Sequence, residues 1–404
     1  MLMVRSLTKT LYLVSIVAFI FVTIFDPADV VLGLKVPLFI LCFITGGLFL
    51  LGQKGRIYIP MPLIIYTLLF ISIPLFSIFI YYLRSGTDPY EGFAMFKAYL
   101  FIFFAILLVA TKIDVTKYLC SVLSIMAVCI ISLFIFLIIF PDYFILINAI
   151  GNETEIFYSD QRSYGGDLTY QQAYFVCSPM LVIPIAYYLY RFRESRNTDL
   201  LSLSLLIVSF LGLLLAGSRN NMFAALFMLP SLYIIFSRKK ILPIVLTSSF
   251  LIIFILINAN EIAALLDPSE ISNSTKLGYL SDYTLIFSDL NNLFFGQGLG
   301  SYYNFSILSY PYFITELTYF ELFRNFGLIL GLVMFIMLIY PIFISLRLEK
   351  GALLQKYMAI AYSFYLIMCF TNPNLFNSLG ILILCILLSG LYRDGRVVNY
   401  NSRL

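Results

Sequence analysis

Residues 118–140 read YLCSVLSIMAVCIISLFIFLIIF, a continuous run without one charged side chain. About 20 apolar residues in helical form cross a bilayer core, so this run is long enough by itself. A helix that is apolar all round must be wholly enclosed or lie in lipid. Working outward, similar runs occur near 11–25, 34–51, 60–82, 93–110, 173–190, 200–216, 222–236, 241–258, 314–345, 357–371 and 376–392, about twelve with the first. Several are short, and their ends are expected to extend into the flanking polar residues. The run at 11–25 does not read as a cleaved leader, because Asp26-Pro27 and a second span follow with no small-residue cleavage site. Lipid offers backbone groups no partner outside the helix, and a β-barrel would show short alternating segments instead. The expected fold is therefore an all-α polytopic membrane protein of about 12 transmembrane helices, one integral membrane domain over residues 1–404.

The composition agrees. Of 404 residues, 61% are apolar and 11% charged, and the mean hydropathy is +0.97. Soluble proteins keep roughly a quarter of their residues charged. A soluble globule, a disordered chain and a disulfide-stapled secreted domain are excluded. The formal charge of +4 is too small to imply a polyanion, so no nucleic acid is expected as a partner; the bilayer is.

The few charges are sorted. Lys and Arg accumulate on the cytoplasmic side of spans. With the N-terminus inside, all but seven of the 25 basic residues fall in inner loops; Lys35, Arg84, Lys97, Arg162, Arg219, Lys276 and Arg324 remain outside or near the outer face. The acids divide the other way, with only Asp114, Glu194, Asp199, Glu349 and Asp394 inside. Both termini are thus expected in the cytoplasm. Two outer loops are long, at 141–172 and 259–313. Loops of such length without evident secondary structure tend to be functional, which points the chemistry outward.

Histidine is absent, which excludes an imidazole base, ligand or relay. The six cysteines lie in apolar runs without CxxC spacing and read as small core hydrophobes. No GxxxxGK[ST] phosphate loop occurs. Carboxylates, arginines and hydroxyls facing outward remain. Arg162 stands among Asp160, Tyr164 and Asp167 before the sixth span. Arg219 lies in Ala216-Gly-Ser-Arg-Asn-Asn221, the turn opening the eighth. Both stand against the charge sorting, and a guanidinium fork matches phosphate oxygens. The plain alternative is a surface arginine, or for Arg162 a partner of Asp160 or Asp167. A third cluster is Gly296-Gln-Gly-Leu-Gly-Ser301 followed by residues 315–327, TELTYFELFRNFG. There Glu316, Tyr319, Phe320 and Arg324 share one helix face by three- and four-residue spacing, while Glu321 and Arg324 are spaced to neutralise each other. GxGxG alone is a weak signal, and no strand precedes it as a dinucleotide site requires. Lys97, one turn inside the fourth span, either snorkels outward or adds a cation to a phosphate site. Asp26 and Asp29 read as a solvated turn, or as two carboxylates for a hard cation. Asn372-Pro373-Asn374 reads as a helix breaker.

On these residues the chain resembles the bacterial O-antigen polymerases (Wzy type) and their relatives, the O-antigen ligases. The resemblance rests on about twelve spans, two enlarged periplasmic loops, Ser218-Arg219 opening the eighth span, and Gly-Gln-Gly-Leu-Gly followed by Thr315-Glu316-x-x-Tyr319-Phe320 and Asn325-Phe326-Gly327. The ligases carry a His in the later loop; this chain has none, which favours polymerase, with Glu316 at the comparable place. The resemblance implies a glycosyltransferase-C-like architecture and a role in lipopolysaccharide and other surface polysaccharide biosynthesis. It implies transfer of a glycan from undecaprenyl pyrophosphate to a hydroxyl of the next lipid-linked repeat unit, and a chain-length-regulating co-polymerase as a partner. Arg162 and Arg219 would then stabilise the pyrophosphate leaving group and Glu316 would act as general base. Glu321 and Asp167 stand next in line as base, and Arg324, Lys97, Tyr319 and Tyr164 complete the substrate contacts. Tyr302, Tyr303, Tyr310 and Tyr312 suit sugars, or equally a membrane interface. No cofactor and no metal is expected. The alternatives are an O-antigen ligase and a lipid-linked oligosaccharide flippase or other transporter; against the latter stand the absence of a repeat and charges confined to span ends.

Overall fold

A computed structural model describes residues 2–53, 57–163, 169–236, 271–307, 311–348 and 352–393. Among them, six helical segments are long and apolar enough to cross a membrane by length and composition: Ser6–Phe25, Met61–Ser85, Tyr90–Thr111, Thr116–Ile139, Thr318–Arg347 and Leu353–Thr371. Three shorter apolar helices join them, Lys35–Leu51, Leu200–Leu215 and Ser378–Tyr392. The fold is that of an all-α membrane protein. The run at 241–258, and within the loop at 259–313 the residues 259–270 and 308–310, lie outside the described residues.

In chain order the helices are α1 (Leu2–Phe25), α2 (Lys35–Leu51), α3 (Met61–Ser85), α4 (Tyr90–Tyr99), α5 (Phe103–Thr111) and α6 (Thr116–Ile139). A single 3-10 turn joins α4 to α5, so the two make one continuous segment long and apolar enough for a single crossing. After the first long loop come α8 (Val182–Glu194), α9 (Leu200–Leu215) and α10 (Arg219–Phe236). The chain closes with α13 (Thr318–Arg347), α14 (Leu353–Met368) and α15 (Ser378–Tyr392). α15 is apolar on every face and buried along almost its whole length. It packs against α5, α13 and α14 and forms the axis of the bundle. Asn377 starts it, its Oδ1 accepting from the amides of Leu379 (3.0 Å) and Gly380 (3.2 Å), a side-chain cap on otherwise orphan donors.

Both long loops carry structure of their own. The first holds α7 (Phe144–Thr154) and an antiparallel hairpin, β1 (Phe157–Ser163) with β2 (Thr169–Phe175), in which Arg162 faces Tyr170. The second holds α11 (Ile271–Ser288) and α12 (Leu290–Phe295). The expected helical start of the sixth run near 173 is corrected: the strand continues through Phe175, and helix α8 begins only at Val182. Thr169-Tyr-Gln-Gln-Ala-Tyr-Phe175 is rich in aromatic and β-branched side chains, which favour a pleated pairing, and β1 supplies it.

The tenth run also departs from one continuous span. α13 is broken at Gly327, whose backbone stands at φ 70°, ψ 177°. The segment after the break, about 20 residues or ~30 Å at 1.5 Å per residue, suffices to cross a membrane. The two and a half turns before it, with Glu321 and Arg324, therefore belong to the loop-bearing end of the bundle. Non-helical backbone near membrane depth persists only where protein satisfies it, and here it is satisfied. The Arg324 carbonyl accepts from the Gln297 amide at 2.6 Å, and the Asn325 carbonyl accepts from Ser77 Oγ at 2.6 Å. Ser77 Oγ in turn accepts from the Leu299 amide at 2.9 Å. The glycine-rich loop is thus a plug laid into the break. Gly327 has no room for a Cβ, which would run into the Phe294 carbonyl, and Gly300, at φ 85°, would drive one into the backbone of Gly92 on α4.

Candidate functional site

Two acid–base clusters stand at the loop-bearing end. The first is closed. Arg324 is fully buried. Its Nε donates to Glu321 Oε2 at 3.0 Å and its Nη2 lies 2.8 Å from the same oxygen. Nη1 donates to Gln297 Oε1 (3.1 Å) and to the carbonyl (2.9 Å) and Oγ (2.9 Å) of Ser301, and Nη2 donates to the Phe313 carbonyl at 2.7 Å. One guanidinium therefore ties α13, the glycine-rich loop and the segment before α13 together. On the acid's other side, Tyr283 of α11 donates its hydroxyl to Glu321 Oε1 at 2.8 Å and meets Thr315 Oγ1 at 2.6 Å. Burial first, and then the Glu321 charge, push the Tyr283 phenol far above its usual range, so it stays a proton donor. Around them Tyr279, Tyr283, Ile286, Phe305 and Leu317 form a small satellite core. Arg84 of α3 clamps the same loop, donating from Nη1 to Asn292 Oδ1 (3.0 Å) and the Gly296 carbonyl (2.5 Å) and from Nη2 to the Asn291 carbonyl (3.2 Å).

The second cluster is open. Glu316 does not share a helix face with Arg324, which corrects the spacing argument: the helix starts at Thr318, after a turn closed by the Thr318 amide on the Glu316 carbonyl (3.0 Å). The Glu316 side chain is 54% exposed and faces Lys276, 25% exposed, with Nζ 3.9 Å from Oε2. Lys276 Nζ also donates to Ser272 Oγ at 3.0 Å. One turn back on α11, Asn273 Oδ1 accepts from Arg219 Nη1 at 2.8 Å. Residues three apart on a helix are neighbours, about 5–6 Å between Cβ atoms. The first turns of α11 thus bring Arg219 and Glu316, nearly a hundred residues apart in sequence, to one place and add Lys276 between them.

The sequence explains how Arg219 is held. Ser218 Oγ accepts from the Asn221 amide at 3.1 Å, capping α10 so that Arg219 stands at its first residue. Asn220 Nδ2 donates to the Met368 carbonyl (3.3 Å) and to Thr371 Oγ1, and the buried Asn221 donates to Ser178 Oγ at 2.9 Å. Thr318 Oγ1 donates to the Asn372 carbonyl at 2.7 Å. Asn374 does more than break a helix: buried, it donates to the Val176 carbonyl at 3.0 Å and reaches the Tyr174 hydroxyl at 3.5 Å, locking the α14–α15 turn to the end of β2. Burial pushes the Tyr174 phenol up. A ring of asparagine and threonine bonds thereby fixes the floor beneath Arg219 and Glu316.

The remaining expectations fall as follows. Tyr319 donates its hydroxyl to the Leu366 carbonyl at 2.8 Å and packs its ring on Phe335 and Phe370. Lys97 is exposed in the last turn of α4. Arg162 is placed in β1 by its backbone; Tyr164, Asp167 and Tyr310 lie outside the described residues. Tyr302 donates to Glu91 Oε1 at 3.2 Å, and Tyr303 pairs with Tyr312 through two backbone bonds of 3.0 Å. Asp26 and Asp29 spend their carboxylates on backbone. Asp26 accepts from the amides of Val30 (3.0 Å) and Leu32 (2.7 Å) and Asp29 from that of Lys35 (3.0 Å), while Lys35 Nζ donates to the Pro27 carbonyl at 2.6 Å. Lys276, Asn273 and Arg84 were not singled out from the sequence. Two of them, Lys276 and Arg84, belong to the seven bases that break the charge sorting, and that signal would have found them.

Chemically, the open cluster offers two cations beside one solvent-accessible carboxylate. Cations of this kind can pair with phosphate oxygens, and a carboxylate of this kind can accept a proton from a hydroxyl. No protein-family model matches the chain, and no curated protein matches it.

Proposed function

We propose that the chain is a membrane-embedded glycosyltransferase that polymerises oligosaccharide repeat units linked to undecaprenyl pyrophosphate into O-antigen or a related surface polysaccharide. The single observation that supports this most is the meeting of Arg219, Lys276 and Glu316 at the start of α11. In this reading about twelve helices cross the inner membrane, both termini lie in the cytoplasm, and the loop-bearing end faces the periplasm. The acceptor hydroxyl oxygen attacks the anomeric carbon of the donor glycan. Glu316 takes the hydroxyl proton, and the bond between the anomeric carbon and the pyrophosphate oxygen breaks. The electron pair leaves with the pyrophosphate, whose growing charge Arg219 and Lys276 stabilise. Arg162, in the hairpin beside the same end, is a third cation for this group, and a co-polymerase would set chain length. Glu321 and Arg324 are spent on each other and on the loop; they hold the frame.

The test is the glycan profile of a strain lacking the chain. Single repeat units on the lipopolysaccharide core are the expected result. Uncapped core with polymer retained on its lipid carrier would mean a ligase, and lipid-linked repeats trapped in the cytoplasmic leaflet would mean a flippase.

A further inference from the structure

At the loop-bearing end, α6 passes into the helix of the first long loop with almost no polar chain between. On α6 the exposed residues Ile125, Val128, Ser132, Ile135 and Ile139 follow at three- and four-residue spacing. They form one stripe, which in a membrane-crossing segment faces hydrocarbon. The 24 residues of α6 span ~36 Å at 1.5 Å per residue. A hydrocarbon core measures about 30 Å, so α6 has reached headgroup level where it ends. Phe140 stops it, at φ −125° and ψ 66°, and a 3-10 turn over Pro141–Tyr143 leads to α7. Three residues at ~2 Å each carry the chain only ~6 Å onward. Phe136, Phe140 and Tyr143 pack their rings around this bend, with centroids 5.1, 5.8 and 6.3 Å apart. Tyrosine and its like gather at this level of a membrane.

The outward side of α7 is apolar. Phe144, Ile147 and Gly151 turn toward the protein, and a Cβ on Gly151 would run into the Phe157 carbonyl. On the opposite side Ile145 is 81%, Leu146 54% and Ile150 42% exposed, with Ala149 exposed among them. Polar residues enter that side only in the last turn, with Asn152 and Glu153. Contiguous exposed apolar residues mark a contact with protein or with membrane. Here the patch runs on through Tyr143, Phe140 and Ile139, all exposed, into the lipid-facing stripe of α6. That continuity selects the membrane.

We propose that α7 is an interfacial helix, neither a span nor part of a loop standing free in water. Ile145, Leu146 and Ile150 sit in the boundary between headgroups and acyl chains, and the last turn rises into water. Helices of this kind sink ~5–10 Å into that boundary. No Lys or Arg occurs from Tyr118 through Gln161, so apolar contact holds α7 there, without attraction to anionic lipid. α7 is also joined stiffly to the hairpin. The Glu155 amide donates to the Gly151 carbonyl at 2.9 Å and the Val176 amide to the Ile156 carbonyl at 3.1 Å. Phe157 packs on Phe175 with centroids 5.3 Å apart. The hairpin that carries Arg162 is thereby held at a set height over the bilayer. This placement follows from the membrane fold alone, whichever reaction the chain carries out.

The chain contains no Trp, so one introduced indole reports alone. Ile145→Trp, Ile150→Trp, Val128→Trp and Asn152→Trp are each made in the full-length protein and placed in bilayer nanodiscs, one copy per disc. All four replaced side chains are exposed, and the two on the apolar side of α7 guard against one of them failing to fold. Ile145→Trp and Ile150→Trp are expected to emit at short wavelength and to resist iodide. Lipids brominated near the carboxyl end of their chains should quench them more than lipids brominated near the methyl end. Val128→Trp, at the middle of α6, should reverse that order, and Asn152→Trp should be quenched by iodide alone. The pattern should be the same in phosphatidylcholine and phosphatidylglycerol. Quenching of Ile145→Trp and Ile150→Trp by iodide and not by bromolipid puts α7 in water. Quenching by neither puts it under a protein surface, and strongest quenching by methyl-end bromine sinks it into the core. Each of these results overturns the proposal, as does bromolipid quenching confined to phosphatidylglycerol.

Discussion

Glu316 and Glu321 are five residues apart, and each faces a base. Glu321 meets Arg324 at 2.8 Å with both side chains almost wholly buried; Glu316 meets Lys276 at 3.9 Å with about half its side chain exposed. Every direction around the first pair is filled, by Tyr283, Ser301, Gln297 and the Phe313 carbonyl. The second pair has solvent on one side. A buried pair gains little by pairing, because desolvating two charges offsets their attraction, yet loses much when one partner goes. An exposed pair holds together weakly and exchanges partners at little cost. The first arrangement suits a frame, and the second suits a site that must accept a ligand.

The contrast breaks most sharply at Arg324. Arg324→Met leaves the Glu321 carboxylate buried and four further acceptors, on Gln297, Ser301 and Phe313, unserved. A loss of about 3–5 kcal/mol of stability is expected, read as a lowered unfolding temperature and poor recovery in detergent. A protein that folds and melts like wild type would put Arg324 outside the frame. Next is Gly300→Ala. The residue stands at φ 85° with the Gly92 backbone where a Cβ would go. Left-handed strain of roughly 1–2 kcal/mol adds to overpacking of about 1–3 kcal/mol. The expected result is a loss of that combined order. Gly33→Ala, also left-handed at φ 61° but with open space around it, should show the strain alone.

How much of this was legible beforehand divides along the same line. Spans announce themselves because lipid demands continuous apolar helix, so 118–140 and its like needed only counting. The position of Arg219 was visible because it contradicts the charge sorting. The break in α13 was not, since Phe326-Gly327-Leu328 is apolar and one glycine in a helix has many explanations. Only the arrival of Gln297 and Ser77 from distant segments makes that break habitable. Helical spacing placed Glu316 beside Arg324, because spacing arguments assume that the helix has already begun. Lys276 was one of the seven exceptional bases, but its meaning lies in α11 meeting Arg219 through Asn273 and Glu316 through Lys276 itself, a long-range fact that spacing does not carry.

A smaller effect is expected at Tyr283→Phe. The ring stays packed on Phe287, Phe305 and Phe320, while Glu321 Oε1 and Thr315 lose one partner. About 1–2 kcal/mol is the usual consequence of an unpaired buried acceptor, and chain extension should fall only in step with folded protein. A fall in extension per folded molecule would move Glu321 from the frame into the chemistry.

The smallest structural effect, and the sharpest test of the comparison, belongs to Glu316→Gln and Lys276→Met. An exposed ion pair contributes roughly 0–1 kcal/mol, so both variants should unfold within a degree or two of wild type. Their activity should separate. Removing a general base costs typically 10²–10⁴-fold, so Glu316→Gln should nearly stop extension of purified lipid-linked repeats at every substrate concentration. Lys276→Met keeps the base and loses one phosphate cation, so Lys276→Arg should restore much of its activity where Glu316→Asp restores little. If Glu316→Gln extends chains at the wild-type rate, the open pair is only a surface contact and the base must be sought elsewhere. If both variants instead unfold like Arg324→Met, the distinction between frame and site is wrong. A stable protein that no longer joins sugars is the outcome that neither a purely structural nor a purely surface role produces.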